Sequence, residues 1–132
     1  MNLAQAHSLM VEAAVRTLVV IDDDSAVRNA LQFALELEGY KVAPFASPLE
    51  LLARAPVPAF DCLIVDQRLP AINGLDVVDL LRRNSRPPRP AILITSNPSN
   101  ALRARAAAAG VPIVEKPLQS DELIRIVRRM VG

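Results

Sequence analysis

Four short stretches of the chain carry side chains suited to chemistry at phosphorus: Asp22-Asp23-Asp24, Asp66, Thr95-Ser96 and Lys116-Pro117. Several carboxylates brought within a few ångströms repel one another, which raises the pKa of some of them unless a cation intervenes. An all-oxygen, partly hydrated donor set favours Mg²⁺ over Zn²⁺, whose preference is for nitrogen and sulfur. Beside such an ion, Asp66 can act as a nucleophile and form an aspartyl phosphate. The charge on the transferred group then needs donors, and the Lys116 ammonium and the Thr95 hydroxyl are of the right kind. Each residue alone has an ordinary explanation: Asp24 or Ser25 can cap a helix, and Thr or Lys-Pro is common at strand ends and in loops. Their joint occurrence carries the weight. Only two of the 15 cations, Lys41 and Lys116, are lysines, and a compact ammonium suits a single phosphoryl oxygen where Arg presents a planar fork.

The elements that must position these residues follow from periodicity. Apolar runs predict strands at Thr17 to Asp22, Lys41 to Phe45, Asp61 to Asp66, Ala91 to Thr95 and Ile113 to Glu115. LVVI, CLIV and AILI are continuously apolar, as expected of parallel strands covered on both faces. Helical spacing predicts helices at Ala26 to Glu38, Pro48 to Arg54, Leu75 to Arg83, Asn100 to Ala109 and Ser120 to Met130, with Gly39 as a C-cap. Strands alternating with helices make a doubly wound α/β domain with a five-stranded parallel sheet and five helices. Such sheets place their sites at the carboxyl ends of the strands, where the four stretches fall. Residues 1–16 form an N-terminal extension compatible with a short amphipathic helix, and 17–132 form the domain.

Composition narrows the function classes. The chain has 132 residues, 52% apolar, with 15 Lys plus Arg against 14 Asp plus Glu. That length supports one domain with its own core. The single cysteine, Cys62, excludes an internal disulfide or a Cys-based zinc site and fits a reducing compartment. A net charge of +1 without a basic run argues against direct nucleic-acid binding. No apolar run approaches the roughly 20 residues of a membrane span, and no signal-like segment opens the chain, so the expected location is the cytoplasm.

With these residues assembled, the chain resembles the receiver domains of bacterial two-component response regulators. The resemblance runs from Thr17 to about Val131 on VVIDDDSAVRNALQFALELEGY, LIVDQRLPAINGLDVVDLLR, ILITS and VEKPL. It implies a flavodoxin-like fold, with Asp66 as phosphoacceptor and Asp22-Asp23 as the acidic pair for Mg²⁺. Asp23 would be the direct ligand, Asp22 would act mainly through water, and the backbone carbonyl of Arg68 would complete the protein ligands. Thr95 becomes the switch hydroxyl, Lys116 the family's cation, and Pro117 a proline commonly preceded by a cis peptide. Gly74 matches the turn glycine. Arg68 and Asn97, two residues after Asp66 and Thr95, occupy positions that tune the lifetime of the phosphoryl group. Motif style is closest to receivers of helix-turn-helix transcriptional regulators.

One position departs from the family. Three residues before the lysine, where receivers carry Tyr or Phe, this chain has Ile113, so no ring can swing inward and coupling from Thr95 must take another route. The Ser96 to Asn100 loop is the expected substitute. The implied partners are a sensor histidine kinase or histidine phosphotransfer protein, docking near Arg28 and Asn29 on the first helix, and a downstream protein or a second copy. Asp121 and Arg125 are spaced for an intrahelical pair. The expected function is a phosphorylation-controlled switch catalysing only its own phosphorylation and dephosphorylation, either stand-alone or cut from a DNA-binding regulator. A different class of reading is a haloacid-dehalogenase-type phosphatase using Asp22 and Asp24, against which the short chain and the adjacent Ser25 both speak.

Overall fold

A computed structural model describes residues 2–6, 15–54, 57–83 and 87–132. The elements are β1 (Thr17–Ile21), α1 (Ser25–Leu37), β2 (Lys41–Phe45), α2 (Pro48–Leu52), β3 (Cys62–Asp66), α3 (Gly74–Arg82), β4 (Ala91–Thr95), α4 (Asn100–Ala108), β5 (Ile113–Glu115) and α5 (Ser120–Val131). All strands pair in parallel in the order β2-β1-β3-β4-β5, so the doubly wound architecture is present. The chain leaves β1 outward to β2 and returns to β3 on the other side. This opens a crevice at the carboxyl ends of β1 and β3, the place where ligands bind such sheets.

The boundaries of β2, β4 and β5 are as expected, whereas β1 and β3 are each one residue shorter. Asp22 leaves the ladder, and Asp61 precedes β3 to accept the Thr17 N–H through Oδ2 at 2.8 Å. Helices shift by one residue at several ends, and α2 stops at Leu52. Capping explains the starts: Asp24, Ser47, Asn73 and Ser99 each accept a backbone N–H of the following first turn, an interaction typically worth about 1 kcal/mol. Gly39 takes φ +94° after α1, the left-handed turn that favours glycine. Of the N-terminal extension, residues 3–6 form one helical turn, with Ala6 N donating to Asn2 O. The rest of the expected helix, 7–14, lies outside the described residues.

Alternation along the strands sends side chains to opposite faces of the sheet. Leu18, Val20, Cys62, Ile64, Ile92 and Ile94 pack beneath α1 and α5. Val19, Ile21, Leu63, Val65, Ala91 and Leu93 pack beneath α2, α3 and α4. Both faces are therefore dry, which is why these strands read as unbroken apolar runs. The margins differ from the centre: β2 carries the exposed Pro44, and β5 has three residues preceded by Pro112.

Candidate functional site

Each functional side chain stands where a strand ends. Register sets Ile21 beside Val65 and Asp66 beside Ile94, so Asp22 and Thr95 come one step beyond the paired rows, and Lys116 follows Glu115, the partner of Thr95. Asp22, Asp66 and Thr95 are the buried polar residues among those described, at 1%, 5% and 2% exposure. Carboxylate oxygens of Asp22, Asp23 and Asp66 all lie within 4.8 Å of one another. The Lys116 ammonium donates to Asp66 Oδ2 at 3.0 Å and forms an ion pair with Asp22 Oδ2 at 3.5 Å. The other Asp66 oxygen, Oδ1, accepts the Arg68 backbone N–H at 3.2 Å.

The acidic turn is held from several directions. Asp22 N donates to Phe45 O, Asp22 Oδ1 accepts the Asp24 N–H at 2.9 Å, and the Arg28 guanidinium donates to Asp22 O at 2.7 Å. Asp22 Oδ2, by contrast, is buried without a hydrogen-bond partner among the described residues. Burial pushes the Asp22 carboxyl above its ordinary pKa, and the nearby Asp66 charge adds to this. The Asp24 N–H and the Lys116 charge pull the other way without prevailing. For Lys116, partial burial acts to lower the ammonium pKa. The hydrogen bond to Asp66 and the charges of Asp22 and Asp66 outweigh it, and the net direction is upward. One lysine thus pairs with two of three clustered carboxylates and leaves Asp22 Oδ2 without a hydrogen bond, which is the condition a small divalent cation relieves.

The loops around the carboxylates are fixed by close contacts. A Cβ on Gly74 would sit 2.4 Å from Asp66 O, so only glycine lets the start of α3 approach the main chain of Asp66. Gly74 N donates to Gln67 O, and Gln67 Oε1 accepts the Leu75 N–H at 2.9 Å, which ties the residue after Asp66 to the first turn of α3. Thr95 Oγ1 donates to Ser96 O at 3.3 Å, and Arg68 Nη2 reaches the same carbonyl at 3.4 Å. Arg68 therefore crosses from the β3 loop to the β4 loop. Asn97 is exposed with φ +45°, a left-handed conformation that Asn tolerates. The Lys116–Pro117 peptide is cis.

The structure thus brings Asp22, Asp23, Asp66 and Lys116 together, with Thr95 at the end of β4 and Arg68 and Asn97 on the flanking loops. Asp24 caps α1. Ile113 is half-buried against the core beneath α4, where an aliphatic side chain fills space with no ring to reorient. Asp121 and Arg125 form no ion pair among the described residues. The Arg28 bond to Asp22 O and the Gln67 bond to α3 are not written in any spacing of the sequence. An Arg one turn inside the first helix was the only available signal for the former.

Doubly wound order, a carboxylate-lined crevice at the strand ends and a lysine across it define a receiver-type domain. The family model for the response regulator receiver domain matches residues 18–128, and the chain belongs to that family, which also decides against a dehalogenase-type phosphatase. The transcriptional regulatory protein FixJ of Bradyrhizobium diazoefficiens is 34% identical over 113 residues, covering 83% of this chain and 54% of the relative. The C4-dicarboxylate transport transcriptional regulatory protein DctD of Rhizobium meliloti is 32% identical over 118 residues, covering 89% of this chain and 25% of the relative. The chain thus spans between a quarter and about half the length of these curated relatives. Among solved structures, the chemotaxis protein CheY4 of Vibrio cholerae superposes with a TM-score of 0.78 at 25% identity, covering 88% of this chain and 98% of that one. No helix among the described residues is long and apolar enough to cross a membrane.

Proposed function

We propose that Asp66 accepts a phosphoryl group from the phosphohistidine of a sensor histidine kinase or a histidine phosphotransfer protein, and that the modified domain changes which protein it binds. The observation that carries this is the placement of Lys116 Nζ 3.0 Å from Asp66 Oδ2, next to an acidic pair whose buried member, Asp22, keeps one oxygen without a hydrogen bond. In the transfer, an Asp66 carboxylate oxygen forms the O–P bond as the P–N bond breaks. The bonding pair returns to the imidazole, which leaves as the neutral ring when its other nitrogen carries a proton. Asp22 and Asp23, with Asp66 and the backbone carbonyl of Arg68, are the residues that would hold Mg²⁺. When bound, the ion neutralises phosphoryl charge and aligns its oxygens.

Lys116 supplies a fixed positive charge to the transferred group, and the Thr95 hydroxyl becomes a donor to it by giving up Ser96 O. Arg68 and Asn97 border the group and govern how water reaches it, which sets the lifetime of the mark. The domain acts in the cytoplasm and catalyses only its own modification and its loss. With relatives about twice as long or longer, an output segment of DNA-binding type accompanying this receiver is part of the same proposal, as is a second copy serving as the downstream partner. Incubation with acetyl phosphate and Mg²⁺ followed by intact mass measurement tests the core of it. Wild type gains the mass of one phosphoryl group and Asp66→Asn does not. Equal modification of both would refute Asp66 as the acceptor.

A further inference from the structure

We propose that Arg28 is a positioning residue that sets the geometry of the acidic pair for its cation; this rests on the receiver function proposed above. Arg28 follows the acidic turn by one helical turn, yet it forms no ion pair among the described residues. Its Nη1 instead donates to the backbone carbonyl of Asp22 at 2.7 Å. A charged donor at that distance makes a strong hydrogen bond. The carbonyl it grips belongs to the peptide joining Asp22 to Asp23, so the bond fixes the orientation of the unit that spaces the two carboxylates.

Asp23 carries no side-chain anchor of its own. It is exposed and its carboxylate makes no hydrogen bond or ion pair among the described residues. Where its oxygens point is therefore decided by the main chain. Asp22 is held at its N–H by Phe45 O, and its Oδ1 accepts the Asp24 N–H, a bond that closes a turn around the Asp22–Asp23 peptide from within the loop itself. Arg28 alone reaches the shared peptide from another element, α1. Freed of it, that peptide keeps only the bond within its own loop, and the direct ligand can shift relative to the buried one.

Outer partners that orient metal ligands are typically worth 10- to 100-fold in metal affinity. The test is a Mg²⁺ titration of the full chain, read from backbone amide resonances of residues 22–24, for wild type, Arg28→Met and Arg28→Lys, alongside thermal unfolding. Met keeps the stem and removes the donor, and it should weaken Mg²⁺ binding about tenfold while the protein remains folded at the temperature of the titration. Lys, which returns a charged donor, should recover part of the loss. A folded Arg28→Met with a Mg²⁺ dissociation constant within about twofold of wild type, against the tenfold expected of an orienting partner, overturns the proposal. If the Met variant does not fold, Arg28→Gln takes its place with the same two outcomes. Should wild type itself fail to bind Mg²⁺, the receiver function falls with it. Should wild type bind the ion and take up phosphate while Arg28→Met binds equally well, only the role of Arg28 is lost.

Discussion

Helices α4 and α5 flank the same short strand, β5, and are held by opposite means. α5 presses Leu123, Ile124 and Val127 onto the sheet at 1%, 9% and 0% exposure, with Ile126 and Met130 half-buried at its margin. Its stripe of apolar residues is thus largely accounted for by packing. α4, NALRARAAA, buries Ala106 alone, and arginines hold it from outside. Arg105 donates to Asp76 and Asp79 of α3 at 2.6 and 2.8 Å, Arg103 pairs with Glu115 of β5, and Arg82 of α3 donates to Ala109 O at 2.7 Å. Burial of a Leu or Val side chain is worth roughly 1.5–3 kcal/mol, whereas exposed ion pairs contribute little and are screened by salt. α5 is consequently anchored by its core face, and α4 is the more cheaply displaced of the two.

The sharpest way to break this contrast is Leu123→Ala. It should cost about 3 kcal/mol of unfolding free energy, as large-to-small core changes do, and denaturant midpoints should show the same loss at low and high salt. A loss below 1 kcal/mol would mean α5 is not anchored by its core face. Next, Ala106→Leu crowds the one buried position of α4. Overpacking typically costs 1–3 kcal/mol, and because α4 can yield, the effect should fall at the low end, with amide shifts concentrated in residues 100–109 and not in 120–131.

A smaller effect comes from the acidic site at the ends of β1 and β3. The Asp22 carboxyl has its pKa raised in the folded protein, so its contribution to stability is present at acid pH and is lost as pH rises through the raised value. At neutral pH without divalent cations, Asp22→Asn should therefore melt a few degrees above wild type, and added Mg²⁺ should stabilise wild type more than the variant. A lower melting point for Asp22→Asn would contradict charge crowding at this carboxylate cluster. Smallest in energy, Arg105→Met should speed hydrogen exchange in α4 at low ionic strength, with the difference from wild type shrinking in molar salt. Cys62 supplies the control. It lies on the α1 and α5 side, and burial pushes its thiol up to about 12, so labelling at neutral pH should track global unfolding and ignore Arg105→Met.

How far residue order alone reached depended on the kind of contact. The sheet and its site could be read because apolar runs, turn residues and strand-end carboxylates are local patterns, and parallel winding converts strand ends into one rim. Element ends moved by a residue where side chains capped them, as Asp24 does before Ser25 and Asn73 before Gly74. The arginine contacts could not be read. Arg28 reaches a carbonyl six residues away, Arg82 one 27 residues away, and Arg105 acids 26 and 29 residues away, and guanidinium spacing in the sequence carries no sign of which oxygen it will find. The absence of an Asp121–Arg125 bond makes the same point from the other side: correct spacing on a helix permits a pair without requiring one.

The margins of the sheet bear on how the molecule meets others. Pro44 removes a main-chain donor from β2, and three-residue β5, entered through Pro112, exposes too short a ladder for an incoming strand to follow. A polypeptide arriving at either border finds little to zip onto, so copies crowded together do not template fibrils through these edges. Helices and loops are the surfaces left for other chains to meet.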